Sequence, residues 1–282
     1  MHSSLGTDAK LSRRVLQDRL FKLILVGVAL GVVLLLTTII GFVIQQGISV
    51  INWSFFTHLP QPPGASHSGI LNAILGTLML TVLASLISIP VGIWCGVAMA
   101  EHPLHPLVKW AQVSVDGIQS IPSILFGIMA YLWVVVPMGQ FSAVSGAVAL
   151  SMIMLPIVIR AVEEAVRRVP TTMREASLAL GVSPFRTTIK VVIPCALNGI
   201  LTGSLLGVSR ISGETAPLLF TAFGSPFLVI SIFQPVQSMP ILIYNYATSP
   251  YADWQQIGWG ASLVLILFCF VLSVGTRWVF KR

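Results

Sequence analysis

Six stretches of about twenty apolar residues recur along this chain, each long enough to cross the hydrocarbon core of a bilayer. They cover roughly residues 22–45, 70–100, 111–136, 141–159, 197–222 and 257–280. Backbone in lipid must satisfy its own hydrogen bonds, so such segments fold as helices. Charged residues make up 9% of the sequence and mean hydropathy is +0.91, whereas a water-soluble domain carries about 25% charged residues. The expected fold class is an all-α polytopic membrane protein with six transmembrane helices. Residues 1–21 read as a polar tail and residues 22–282 as one membrane domain. The first segment is too long for a signal-peptide core and lacks a small-residue cleavage site, so it reads as a retained span.

The spans differ in quality. Pro90 sits inside the second, where a kink is expected. Asp116, Gln119 and Pro122 weaken the start of the third, and the fourth ends at Arg160. Basic residues set the orientation. Lys10, Arg13, Arg14 and Arg19 precede span one, Lys109 lies between spans two and three, and Arg277, Lys281 and Arg282 close the chain. Six more, Arg160 to Lys190, fall between spans four and five, while the loops 46–69 and 223–256 hold none. Both termini therefore face the cytoplasm, and Arg210 alone is left unplaced. The net charge of +7 lies at span ends rather than on one face, which excludes a nucleic-acid surface.

Cys95, Cys195 and Cys269 lie far apart in apolar surroundings and read as buried free thiols. Pro103 and Pro106 interrupt the helix that would pair His102 with His105, so no metal site is expected. No G-x-x-x-x-G-K-[ST] phosphate loop occurs, so any ATP belongs to another polypeptide. Loop 223–256, with four prolines and Asp253 as its only charge, reads as an interfacial segment with Trp254 and Trp259 in the aromatic belt; a surface for a soluble binding protein is the alternative. Trp53, Phe55 and Phe56 read as belt residues as well.

Between spans four and five, Glu163–Arg167 and Glu164–Arg168 stand four apart, acid first, as pairs on a solvated helical extension. TMREASLALGVSP, residues 172–184, follows. Thr172 and Glu175 have capping-box spacing, Gly181 suits a left-handed stop, and Ser183-Pro184 suits the start of a further helix. A helix of two turns is marginal in water. It needs a surface to pack on, and a groove of a soluble partner would serve.

Span five carries the chemistry. Gly199, Gly203 and Gly207 recur every four residues and bare one face for close helix packing. Arg210 and Glu214 continue that face at steps of three and four. At about 1.5 Å per residue, Arg210 lies about 20 Å from the start of the span, near mid-membrane. Lipid exposure there costs at least about 2.5–3.5 kcal/mol, so the group faces protein or water. Two readings stand: an ion pair that staples two spans, or an anion gate in which the guanidinium fork takes an oxyanion and Glu214 neutralises it otherwise.

E-A-S-x-x-x-G, residues 175–181, with Val191, Ile193 and Pro194, resembles the EAA loop of ABC importer permeases: E-A-A, three residues, Gly, nine residues, I-x-L-P. Ser177 replaces the second Ala. SRISGETAPLLFTAFG, residues 209–224, closely resembles a signature of a membrane subunit of the phosphate-specific ABC importers, as do LPIVIR, QSIPSILFG and SPYADWQQIGWGA. The resemblance runs from the second span to the sixth; the first seventy residues match in pattern only. It implies a type I ABC importer permease fold with a coupling helix in residues 161–196, seated on an ATPase through Glu175, Ala176 and Gly181 by direct match and Arg174 by adjacency. It further implies inorganic phosphate as substrate, alternating access, and Arg210 and Glu214 in translocation or gating. The implied partners are a second permease chain (PstC-like), two ATPases (PstB-like) that carry the ATP and Mg, and an extracytoplasmic phosphate-binding protein (PstS-like), in a bacterial cytoplasmic (inner) membrane. The chain itself would be a transporter subunit rather than an enzyme. A permease for another oxyanion or small solute fits the EAA loop alone. An intramembrane enzyme finds no nucleophile–base set: no histidine lies in a span, and Asp116 stands as a lone acid.

Overall fold

The computed structural model describes residues 5–65 and 68–279, with 5–13 and 276–279 described as backbone. Apart from a short helix at Trp53–Thr57, ten helices organise the described residues: α1 (Leu5–Gly47), α2 (Leu71–Glu101), α3 (Pro106–Ser120), α4 (Ser123–Met138), α5 (Ala143–Arg167), α6 (Thr171–Ala179), α7 (Pro184–Ser212), α8 (Ala216–Leu219), α9 (Met239–Ala247) and α10 (Ala252–Val279). Five are long and apolar enough to cross a membrane, and α3 with α4 makes a sixth, broken candidate. Segment 5–21 is helical and continuous with the first spanning helix. The basic side chains of Lys10, Arg13 and Arg277, and residues Lys281 and Arg282, lie outside the described residues.

The third span is not one rod. α3 and α4 meet at 100°. Pro122 keeps Ile121 out of helical geometry (φ −71°, ψ 131°), as proline does to the residue before it. The fifth span differs from expectation at both ends. Its helix starts at Pro184 and stops at Ser212, and the chain continues through Gly213 into the short α8. Both α4 and α7 contain a π turn, at Tyr131–Val135 and Thr188–Val192, placed just before Pro137 and Pro194. A proline ring clashes with the carbonyl four residues back, and a widened turn relieves that clash.

Small residues set how closely the core helices approach. α2 lies on α5 with Gly92 against Val158, Gly96 against Val162, and Ser88 Oγ donating to the Ser151 carbonyl at 3.0 Å. α7 lies on the other side of α5: Gly199 meets Ala165, Gly203 meets Ala161, and Gly207 meets Met154 and Val158. The glycine stripe expected from the sequence is therefore the α5–α7 seam. A second cluster, including Phe55, Ile70, Leu242 and Ile257, joins α9 and α10 to the start of α2. Phe55 is buried there, not in the aromatic belt as the sequence suggested. α1 stands apart, with Gly47 close to the Trp259 carbonyl and Phe42 edge-on to Trp259 at 5.3 Å.

Only part of loop 223–256 fits an interfacial segment. Phe227, Ile230 and Phe233 are exposed, but residues 236–242 are buried. Met239 N–H donates to Thr77 Oγ1 at 2.8 Å, and Gly76 makes room for the Gln237 carbonyl. The loop and the residues just before it also close the N-terminal end of α5: backbone N–H groups of Ser142, Ala143 and Val144 donate to the carbonyls of Thr221, Gln234 and Ile232 at 3.0–3.2 Å. Those amides have no backbone partner within their own helix, although Ser142 N–H also reaches Ser145 Oγ at 3.2 Å. Non-helical backbone at membrane depth is tolerated where protein satisfies it, as here.

Candidate functional site

Arg210 occupies the last turn of α7. Gly207, one turn earlier, packs on Met154, the midpoint of the 25-residue α5, so the guanidinium sits about halfway through the helical layer. A cation there complements the helix dipole at a C-terminus. Glu214 follows the break in the chain and ion-pairs with Arg210. The two partners are unequal: the Glu214 side chain is 8% exposed and that of Arg210 58%. Arg210 and Glu214 do not both continue the glycine face. Ile211, fully buried, does so, and Arg210 turns outward from it. A buried carboxylate without a cation is strongly destabilising, so Glu214 holds one edge of the guanidinium. The remaining N–H donors of the fork project from the chain, a geometry suited to a tetrahedral oxyanion.

A second constellation lies at the other end of the spans. α6 opens at Pro170 with no side-chain cap, so the capping box expected of Thr172 and Glu175 is not formed; both are exposed. With Thr171 already helical, the cap position falls before either residue. Ser183 likewise caps α7 without a side-chain bond, although Pro184 takes the first turn as expected. Gly181 does adopt the left-handed conformation, φ +79°, and Val182 N–H reaches back to the Ser177 carbonyl at 3.3 Å. Ser177, read from the sequence as a small stand-in for Ala, shares a hydrogen bond with buried Thr187 at 2.9 Å and pins α6 to α7. Arg174 points inward, pairing with Glu101 at the end of α2 and donating to the Val166 carbonyl of α5 at 3.0 Å. Glu175 and Ala176 face outward beside Met173, Leu178 and Leu180.

The sequence missed a third group. Asp116 is not a lone acid: Arg160 donates to it from Nε at 2.9 Å, to Glu163 from Nη1 at 2.8 Å, and to the Gln112 carbonyl at 3.0 Å. Glu163 is 3% exposed and also takes Arg167 at 2.7 Å and Gln112 Nε2 at 2.8 Å. It is a buried hub joining α3 to α5, not part of a solvated extension; only Glu164–Arg168 fits that description. The polar residues that weakened span three were the available signal. The cysteines are free, as expected, but Cys95 and Cys195 are exposed and Cys269 is half-buried. Among the described residues no His, Cys, Asp and Glu group could hold a metal ion.

A family model described as binding-protein-dependent transport system inner membrane component matches residues 88–282. The chain belongs to that family. The chain is 42% identical over 244 residues to the phosphate transport system permease protein PstA of Xylella fastidiosa (strain Temecula1), covering 85% of this chain and 84% of that protein. It is 35% identical over 240 residues to the PstA of Yersinia pestis, covering 85% and 81%. It is 36% identical over 269 residues, 95% of each chain, to the probable PstA of Methanocaldococcus jannaschii. Its fold is shared with a chain of the inward-facing MetNI methionine ABC transporter, at TM-score 0.64 and 20% identity, covering 75% of this chain and 94% of that one. The chain is thus a multi-pass ABC importer permease. The GETAPLLFTA segment, residues 213–222, lies wholly within the matched range, as do α6 and the Arg160 hub.

Proposed function

We propose that this permease forms half of the membrane pathway of an ATP-driven importer of inorganic phosphate. The observation that carries it is Arg210: a guanidinium held along one edge by a buried carboxylate, open along the other, at mid-depth where a spanning helix breaks. An oxyanion arriving there meets charge-assisted donors already oriented. Glu214 keeps the cation partly neutral between turnovers. The identity to proteins named as phosphate transport system permeases supports phosphate over other oxyanions.

The partners are a second permease of PstC type, two ATPases of PstB type that bind ATP and Mg, and a phosphate-binding protein of PstS type on the outer side of a bacterial cytoplasmic membrane. Both termini lie in the cytoplasm. The outward face of α6, with Glu175 and Ala176 and the turn at Gly181, seats in the ATPase, while Arg174 hooks α6 to α2 and α5 so that ATPase closure moves the spans. The chain hydrolyses no ATP itself. Radiolabelled phosphate uptake in a strain lacking its own system, complemented with this chain and its partners, tests the reading. Saturable uptake that excess sulfate does not compete is expected; sulfate competition at equal concentration overturns phosphate as the substrate.

A further inference from the structure

A cleft of about 530 Å³ runs along the seam of α5 and α7 on the side of Arg210 that leads toward α6. Its floor is Ala161, Ala165, Gly199 and Gly203, the small residues that let the helices touch. Its α7 wall is Cys195, Asn198, Thr202 and Leu206, at steps of three and four along one helix face. The next residue on that face is Arg210, about 6 Å beyond Leu206 at four residues' rise. At the far mouth stand Glu164 and Arg168, paired at 2.5 Å.

A face that carries an amide, a hydroxyl and a guanidinium in sequence is costly against acyl chains and cheap against water. We infer that this cleft is the release leg of the anion path, with Asn198, Thr202 and Arg168 as the waypoints an oxyanion meets after leaving Arg210; the inference rests on the phosphate reading above. The chemistry suits passage rather than capture. Asn198 and Thr202 are neutral, and Thr202 already donates to the Asn198 carbonyl at 2.7 Å, so it serves an anion only by turning. Arg168 is compensated by Glu164. An ion in transit needs sites that attract it and let it go.

Cys195 places a native thiol on the wall. The test uses the assembled transporter without nucleotide in inside-out vesicles, with Cys95→Ser and Cys269→Ser in this chain. The probe is the membrane-impermeant anion methanethiosulfonate ethylsulfonate, read by the mass of this chain. Cys195 should be modified, and phosphate at ten times its half-protecting concentration should slow modification about tenfold by mass action. Asn198→Leu should lower phosphate uptake about tenfold, the worth of one hydrogen bond to a charged ligand, in complexes that still assemble. Modification by a lipid-soluble maleimide alone, by neither reagent, or at a rate indifferent to phosphate overturns the inference. Arg210→Gln separates the two proposals. Protected Cys195 with uptake insensitive to Arg210→Gln sinks the gate and leaves the release leg; lost uptake with unprotected Cys195 does the reverse.

Discussion

Arg210 and Gly203 show what single residues contribute. Replacing Arg210 by Gln removes charge-assisted donors and leaves Glu214 buried without a cation. Phosphate uptake should fall about 10- to 100-fold, since one hydrogen bond to a charged group is worth about 1.5–3 kcal/mol; Arg210→Lys should recover only part, because an ammonium lacks the fork. Uptake assays on complexes matched for assembly decide it, and normal uptake by the Gln variant removes the gate. Gly203 is governed by space instead. A methyl there runs into the Ala161 side chain, which has no rotamer to escape by, whereas Gly207 faces the flexible Met154 at 3.2 Å. Gly203→Ala should lower the melting temperature of the purified complex by an overpacking cost of about 1–3 kcal/mol. Ala161→Gly in the same chain should restore it, and Gly207→Ala should cost less. Equal melting of all three dismisses the seam.

Among the elements, the α3–α4 elbow and the α6 turn make separable predictions. Glu163 is buried and Asp116 is 65% exposed, although Arg160 binds both. Arg160→Met should therefore destabilise by about 1–3 kcal/mol, the cost of removing a donor from a buried carboxylate that keeps Arg167 and Gln112, and Asp116→Asn by at most about 1 kcal/mol. Thermal unfolding of the two variants checks the order, which a merely solvated cluster would not produce. Gly181→Val forces a branched residue into left-handed backbone at about 1–3 kcal/mol. It should uncouple ATP hydrolysis from uptake without loss of the spans, measured as ATPase turnover per phosphate imported. Much of this was legible beforehand. The glycine stripe and the left-handed Gly181 were legible because each has one local cause. The elbow at Pro122, the end of α7 at Ser212 and the buried segment 236–242 were not. The elbow has a local cause in Pro122, masked by the apolar run that follows it, whereas in segment 236–242 tertiary hydrogen bonds, such as that from Met239 N–H to Thr77 Oγ1, decide between interface and core. Thr172 failed as a cap because Pro170 already opens the helix, a competition that spacing does not reveal.

At the scale of the whole molecule, the charge map makes its own prediction. A single cysteine placed at Gly64 should react with an impermeant reagent in intact cells, and one at Leu180, which is 83% exposed, only after permeabilisation. The opposite pattern inverts the topology. α5 then has a particular standing in the fold. Its first amides are tied to carbonyls at residues 221, 232 and 234, and near its C-terminal end the Val166 carbonyl is held by Arg174 of α6. A 25-residue helix is about 37 Å long and resists compression. It is therefore built as a rigid strut: a displacement of the segment that holds its first amides reaches the end that α6 grips by about the same stroke.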